Sequence, residues 1–90
     1  MDTASIARHT WHIEASAVAR LADSVDPQAL DHTVARLAAC EGRVVTTGAG
    51  TSGAAARKIA HSLCCIERPA LFLSPADAVH GGLGVVQPHD

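Results

Sequence analysis

The chain has 90 residues, which is enough for one small domain with a modest core. Hydrophobic residues make up 48% of it and aromatic residues only 2%, so Ala, Val, Leu and Ile must form that core. A net charge of −2 lacks the clustered positive charge that binding to nucleic acid needs, and we expect no such partner. No apolar run reaches the roughly 18 residues of a membrane span, so we expect neither membrane contact nor a signal peptide.

The cysteines and paired histidines give no pattern of a metal site. Cys40, Cys64 and Cys65 form no C-x-x-C motif, which argues against a disulfide framework and a structural zinc site and favours a reducing, cytoplasmic setting. His9 and His12 lie three residues apart on a predicted helix, but no third ligand is near them. We therefore predict no metal.

Two helices are predicted before any strand. Residues 3–22 carry apolar side chains at helical spacing, and Asp26 and Pro27 are typical of the N-cap and first residue of a second helix. Gly42 is expected to end that second helix. Because both apolar stripes precede the sheet, they should either cover it or pair with another copy of the chain. We also expect Trp11 to pack against a neighbouring element or subunit.

A strand, a glycine-rich turn and a helix follow directly. Residues 44–53 read Val-Val-Thr-Thr-Gly-Ala-Gly-Thr-Ser-Gly, and residues 54–60 are strong helix formers. Such a turn aims the unpaired amide N–H groups of the helix at one point, where an anion such as phosphate is favoured. Ser52 is expected in or just before the first helical turn, where its hydroxyl could cap the helix or bind a phosphoryl oxygen.

The glycine spacing leaves the ligand open. Gly48, Gly50 and Gly53 have the G-x-G-x-x-G spacing of dinucleotide-binding folds, but the second predicted strand, residues 70–73, ends without an acidic residue to hold a ribose. The glycines could instead serve only close packing of strand and helix. A phosphate site remains the favoured interpretation.

The helix after the turn is predicted to pack on a parallel sheet. Ala56, Ile59, Ala60 and Leu63 share one face, and the crossover between the strands should be right-handed. Arg57 and Lys58 could supply charge to a bound phosphate, although a solvated face is the more ordinary interpretation.

His80 is the candidate catalytic residue. It follows a short helix predicted to start with Ser74 as N-cap and Pro75 as first residue, with Asp77 completing a capping-box-like arrangement. This segment lies at the carboxyl end of the second strand, the side on which open α/β sheets bind ligands. With an ordinary pKa near 6.5, a histidine there could act as a general acid or base. The alternative is a histidine that only binds a loop carbonyl.

Three ordered motifs, at residues 44–53, 56–60 and 74–84, make residues 42–90 similar to the first half of a sugar isomerase (SIS) domain. The resemblance is greatest to the arabinose-5-phosphate isomerase branch, and residues 1–41 would correspond to the leading helices that pack or oligomerise. It implies an α/β class protein with a three-layer αβα parallel-sheet, Rossmann-like fold. The chain would contain the N-terminal half of that fold, apparently truncated, preceded by two helices.

The resemblance also implies a function. Gly48, Gly50, Thr51, Ser52 and Gly53 would bind a sugar phosphate, and His80 would match the histidine of the family's H-G-x-L-G segment. The complete protein would interconvert an aldose and a ketose phosphate through an enediol, without a cofactor, as a homodimer or homotetramer. The isolated 90-residue chain should catalyse this isomerisation weakly or not at all.

Two departures keep alternatives open. The family has a lysine where this chain has Thr51, which supplies no formal charge, and the family's catalytic glutamates come after the position of Asp90. Residues 85–90 are predicted to lead into a third strand. A non-catalytic phosphosugar-sensing module is the main alternative, although no basic helix-turn-helix precedes the domain, and a dinucleotide-binding fragment is the second.

Overall fold

The computed structural model describes residues 2–90. Its elements in chain order are α1 (Thr3–Ser24), α2 (Pro27–Ala39), β1 (Val44–Thr46), α3 (Gly50–Cys65), β2 (Ala70–Phe72), α4 (Pro75–Val79) and a 3-10 helix (Gly82–Val85). The chain divides into two compact units, one ending at Val34 and the other covering Ala35–Asp90. No helix among the described residues has the length and apolarity needed to cross a bilayer.

Helix α1 forms as predicted and extends to Ser24. The carboxylate of Asp2 is its N-cap and accepts a hydrogen bond of 2.8 Å from the amide of Ser5, which lowers the pKa of Asp2. The apolar stripe is not buried, because Ile6, Ile13 and Leu21 remain more than half exposed. Trp11 is 64% exposed, so it does not pack closely against another element of residues 2–90.

Helix α2 begins as predicted but ends early. The amide of Gln28 donates a 3.0 Å hydrogen bond to Asp26 Oδ1, which confirms Asp26 as the capping residue. The helix ends at Ala39, and the Arg68 guanidinium donates to the carbonyls of Ala38 and Cys40, which satisfies acceptors that a helix C-terminus leaves unpaired. Ending α2 with Gly42 was therefore a wrong prediction.

The two strands form a parallel pair, with Val44 opposite Ala70 and Thr46 opposite Phe72. The predicted parallel arrangement is confirmed, and it is consistent with the α/β class. Helix α3 packs on this pair, and the Thr46 hydroxyl donates a 2.7 Å hydrogen bond to the carbonyl of Ala56.

The small core lies under the first three turns of α3. Gly53, Ala56 and Ala60 are its buried residues, and each of the two alanines is 6% exposed. Ile59, predicted to share this face, is 53% exposed. Two strands lie only about 5 Å apart, so the sheet is no wider than a helix and leaves the flank of α3 uncovered.

Helix α3 ends in a left-handed turn at a residue that is not glycine. Glu67 has φ 62°, its amide donates to the carbonyl of Cys64 at 3.0 Å, and the amide of Arg68 donates to Leu63 at 2.9 Å. This pair of bonds is the Schellman arrangement, in which glycine usually occupies the position of Glu67. The turn directs the chain into β2.

The C-terminal segment returns to the residues that lead into β1. After the 3-10 helix, the amide of Gly42 donates to the carbonyl of His89 at 3.0 Å. A Cβ on Gly42 would lie 2.6 Å from that oxygen, so glycine is needed for this close approach. Gly42 therefore serves the contact between the two segments and not the end of α2.

Candidate functional site

The glycine-rich turn leaves hydrogen-bond donors free. Helix α3 has Ala49 as its N-cap, and its first helical hydrogen bond runs from the amide of Gly53 to the carbonyl of Ala49, at 3.2 Å. The amides of Gly50, Thr51 and Ser52 precede that bond and have no acceptor among the described residues. Because alanine has no side-chain acceptor, these amides stay available to an anion. The Ser52 hydroxyl does not cap the helix, since Ser52 lies inside the first turn.

Two glycines hold the turn against the helix. A Cβ on Gly53 would lie 2.6 Å from the carbonyl oxygen of Gly48, and a Cβ on Gly48 would lie 2.8 Å from the carbonyl carbon of Ser52. Either contact is too short for a real side chain. Gly48 and Gly53 thus allow the close packing of strand and helix that the sequence analysis gave as an alternative role of these glycines. This packing also shapes the turn.

Gly50 has a different role in the backbone. Its φ is +61°, in the left-handed region, and nothing lies within 4 Å of the position of a Cβ there. A side chain at this position would have space but a strained backbone. Glycine is therefore favoured here by conformation and not by close packing.

A cavity of about 320 Å³ lies at the carboxyl ends of the two strands. Such a position matches the ligand-binding side of open α/β sheets. The volume is at the small end of ligand sites, which suits a compact ligand. Its walls come from the glycine turn, the first two turns of α3 and the end of β2, and they are formed by Gly48, Gly50, Gly53, Ala54, Arg57, Phe72 and Ser74.

Arg57, Phe72 and Ser74 also line this cavity. The sequence offers Arg57 as a source of charge for a phosphate but favours a solvated face for it, and it predicts no site role for Phe72 or Ser74. The Arg57 guanidinium lies over the Phe72 ring, with 4.0 Å between its central carbon and the ring centroid. Ser74 makes no side-chain capping bond to α4, contrary to the predicted capping box. The four-residue spacing of Gly53 and Arg57 on one helix face was the sequence signal that could have placed Arg57 here.

The structure does not bring all predicted site residues together. Gly48, Gly50 and Gly53 line the cavity, but the exposed side chains of Thr51 and Ser52 are not part of its wall. His80 is also exposed, lies at the C-cap of α4, and does not line the cavity. Its backbone amide donates to the carbonyl of Asp77 at 3.1 Å.

A second cavity of about 320 Å³ lies at the amino end of the strands, lined by Arg36, Ala39, Cys40, Glu41, His89 and Asp90. The Asp90 carboxylate there accepts hydrogen bonds of 2.8 Å from the amides of Arg43 and Gln87, and Arg43 Nη2 lies 3.1 Å from it. These bonds, the Arg43 amide first, lower the pKa of Asp90 to about 2. The Asp90 carboxylate is thus already bound within the chain, and this cavity lies away from the glycine turn, so the cavity at the carboxyl ends of the strands is the candidate site.

The fold and the glycine turn define the class of this chain, which has the fold of the N-terminal part of an SIS sugar-phosphate isomerase. Two solved structures match it over 100% of this chain and 49% of their own chains. A candidate sugar-phosphate isomerase from Listeria monocytogenes matches with a TM-score of 0.93 and 50% identity. An Escherichia coli CFT073 protein, solved in complex with a sugar phosphate, matches with a TM-score of 0.81 and 27% identity.

Two curated relatives of this chain are arabinose 5-phosphate isomerases. The chain is 32% identical to arabinose 5-phosphate isomerase KpsF of Escherichia coli O6:H1 over 83 residues, which are 92% of this chain and 25% of that protein. It is 47% identical to arabinose 5-phosphate isomerase GutQ of Escherichia coli K12 over 51 residues, 57% of this chain and 16% of that protein. The chain thus spans a quarter or less of these relatives. No protein-family model matches it.

Proposed function

We propose that the full-length protein binds a sugar phosphate at the glycine turn and interconverts its aldose and ketose forms. The observation that carries this proposal is the cavity beside the free amides of α3, in a chain similar to arabinose 5-phosphate isomerases. The amides of Gly50, Thr51 and Ser52 would donate to the phosphate. Gly48 and Gly53 would hold the turn in the shape that presents them.

Isomerisation requires more than an anchor. A positioned acid or base opens the sugar ring, and a carboxylate base then moves a proton between adjacent carbons through an enediol. His80 lies beyond the carboxyl end of β2 and would act on the ring, which requires the sugar to extend out of the cavity toward α4. The exposure of His80 leaves its imidazole free for that role. Neither a cofactor nor a metal is part of this proposal.

The leading helices, residues 1–41, would form contacts between copies in a homodimer or homotetramer of a cytoplasmic protein. The exposed apolar stripe of α1 supports this part of the proposal, because Ile6, Ile13 and Leu21 are more than half exposed. Residues 42–90 would then be the first part of the phosphosugar-binding domain.

A non-catalytic phosphosugar sensor is the second candidate function. Thr51 stands where the family has a lysine, and His80 lies outside the cavity wall, which leaves a phosphate anchor without a catalytic group touching it. A sensor would bind the same ligand with a similar affinity and show no turnover.

The first experiment measures ligand binding and turnover by the full-length protein. Arabinose 5-phosphate at 100 times its dissociation constant should stabilise the protein by about 2.7 kcal/mol in a thermal-shift assay, while a nicotinamide dinucleotide should not. Formation of a ketopentose phosphate would support the isomerase. Binding without turnover would support the sensor, and stabilisation by the dinucleotide alone would contradict both.

Replacing His80 tests its catalytic role. His80→Ala should lower turnover by about 100-fold or more, with binding of arabinose 5-phosphate nearly unchanged, because a general acid or base acts in the transition state. The exposed His32→Ala serves as the matched control and should leave turnover unchanged. Equal turnover in His80→Ala and the parent protein would leave His80 a loop residue.

A further inference from the structure

We infer that Arg57 is the cationic phosphate ligand of this site and that Phe72 positions it. The inference rests on the proposed function for the location of the ligand, and it adds a residue with a formal charge to a site whose other predicted members are neutral. A phosphate monoester, charged at two oxygens near neutral pH, is the ligand class that such a residue selects over a neutral sugar.

The unit formed by residues 35–90 has three other arginines, of which Arg36 also has no ion pair within residues 2–90 but lines the cavity at the amino end of the strands. Arg43 directs its guanidinium to Asp90 and Val85, and Arg68 directs its own to the carbonyls at the end of α2. The Arg57 guanidinium has no hydrogen bond or ion pair among the described residues, yet it lines the cavity. Its N–H donors are therefore available to a ligand.

The Phe72 ring makes this availability useful. A guanidinium held over an aromatic ring keeps the N–H groups that the ring does not cover, and these can donate to the oxygens of a phosphate. The 4.0 Å stack holds the side chain near the cavity before a ligand arrives, so less rotamer freedom is lost on binding. Phe72 is the last residue of β2, and its position is set by pairing with Thr46 of β1.

The position of Arg57 also bears on the lysine that the family has where this chain has Thr51. Thr51 can donate a hydrogen bond but supplies no charge, whereas Arg57 lies two turns into the same helix and also borders the cavity. The free amides of the turn and the guanidinium would contact one anion from two sides. The positive charge that Thr51 does not supply would thus come from Arg57 on α3.

The test measures dissociation constants by calorimetry for the full-length protein with arabinose 5-phosphate, inorganic phosphate and unphosphorylated arabinose. Arg57→Ala should weaken binding of both phosphorylated probes by about 10- to 100-fold, the range for hydrogen bonds to charged groups. Phe72→Leu should weaken it by about 2- to 5-fold through loss of the stack. Any binding of arabinose itself should be unchanged.

Matched controls separate a specific ligand from net charge. Lys58→Ala and Arg36→Ala remove one exposed positive charge each, from the neighbouring position and from the other cavity, and should change affinity by less than about 2-fold. Arg57→Lys retains the charge but loses the planar fork, so its affinity should fall between those of the parent protein and Arg57→Ala. Should Arg57→Ala fail to fold, Arg57→Lys and Phe72→Leu still decide the question.

The outcomes distinguish the inference from the proposed function. If arabinose 5-phosphate binds equally well to Arg57→Ala and Lys58→Ala, the function stands and the role of Arg57 is overturned. If inorganic phosphate binds in an Arg57-dependent way but arabinose 5-phosphate does not bind, Arg57 keeps its role and the proposed function fails. If neither probe binds the parent protein, both are overturned.

Discussion

The two ends of the short sheet carry cavities of the same size and differ in the groups that line them. At the amino end, the Asp90 carboxylate is bound by the Arg43 amide and guanidinium and is only 4% exposed. At the carboxyl end, the first amides of α3 and the Arg57 guanidinium have no acceptor among the described residues. Arg36 at the amino end also has no ion pair among the described residues, so one unpaired cation does not mark a ligand site. The carboxyl end differs because its unpaired cation lies in the same cavity wall as the glycine turn that begins α3.

The largest expected effect is at the close contact that shapes the carboxyl end. Gly53→Ala would place a Cβ 2.6 Å from the carbonyl oxygen of Gly48, and backbone must move to relieve that contact. We expect the free energy of unfolding to fall by about 1–3 kcal/mol, as for other overpacked sites, with loss of phosphate binding. Urea unfolding and phosphate titration of the full-length protein measure both.

Gly84→Ala is the matched control for that change. Nothing lies within 4 Å of a Cβ at Gly84, and its φ is not in the left-handed region, so its stability should change by less than about 0.5 kcal/mol. An equal, small effect of both substitutions would show that the Gly48–Gly53 contact does not constrain the turn.

The amino end should respond to acid through Asp90. Its pKa is lowered from 3.8 to about 2 in the folded protein, so the stabilisation is fully present above pH 4 and is lost as the pH falls toward 2. Asp90→Asn should lower stability at pH 6 and flatten the decline in stability between pH 4 and pH 2. Urea unfolding across this range is the measurement.

Asp31→Asn provides the comparison for Asp90→Asn, because Asp31 is an exposed carboxylate on α2 outside the Arg43–Asp90 pair. Its pH dependence should follow that of the parent protein. A parallel decline for Asp90→Asn and the parent would mean that the Asp90 bonds do not persist in solution, and the contrast between the two ends would then lose its basis.

Local features of the fold were predictable from sequence because their causes lie within a few residues. Asp26 followed by Pro27 marks a helix start through one capping bond, and the turn around Gly50 requires a conformation that glycine adopts easily. The parallel pairing of the strands follows from the crossover rule. The motif resemblance then gave the fold class, which the comparisons confirm.

Features that depend on distant residues were not predictable. Arg57 over Phe72 requires the register of β1 with β2, and the contact of Gly42 with His89 requires the C-terminal segment to turn back. The exposure of Ile59 depends on the width of the sheet, which periodicity on one helix cannot show. The ligand site was thus predicted at its glycine turn, whereas a phosphate contact by Arg57 was the less favoured of two interpretations.

The smallest expected effect on stability is at the amino end of the sheet, in the turn that joins α3 to β2. Glu67 occupies a left-handed position with φ 62°, which strains a residue with a Cβ but not glycine. Glu67→Gly should raise the free energy of unfolding by about 0.5–1 kcal/mol, since relief of strain exceeds the added freedom of the unfolded chain.

Glu67→Ala removes the carboxylate but keeps the Cβ, so it should leave stability nearly unchanged. If alanine stabilises as much as glycine, the carboxylate rather than the backbone would be the source of strain. Phosphate affinity should not change in either variant, because the turn lies at the opposite end of the sheet from the cavity beside Gly50.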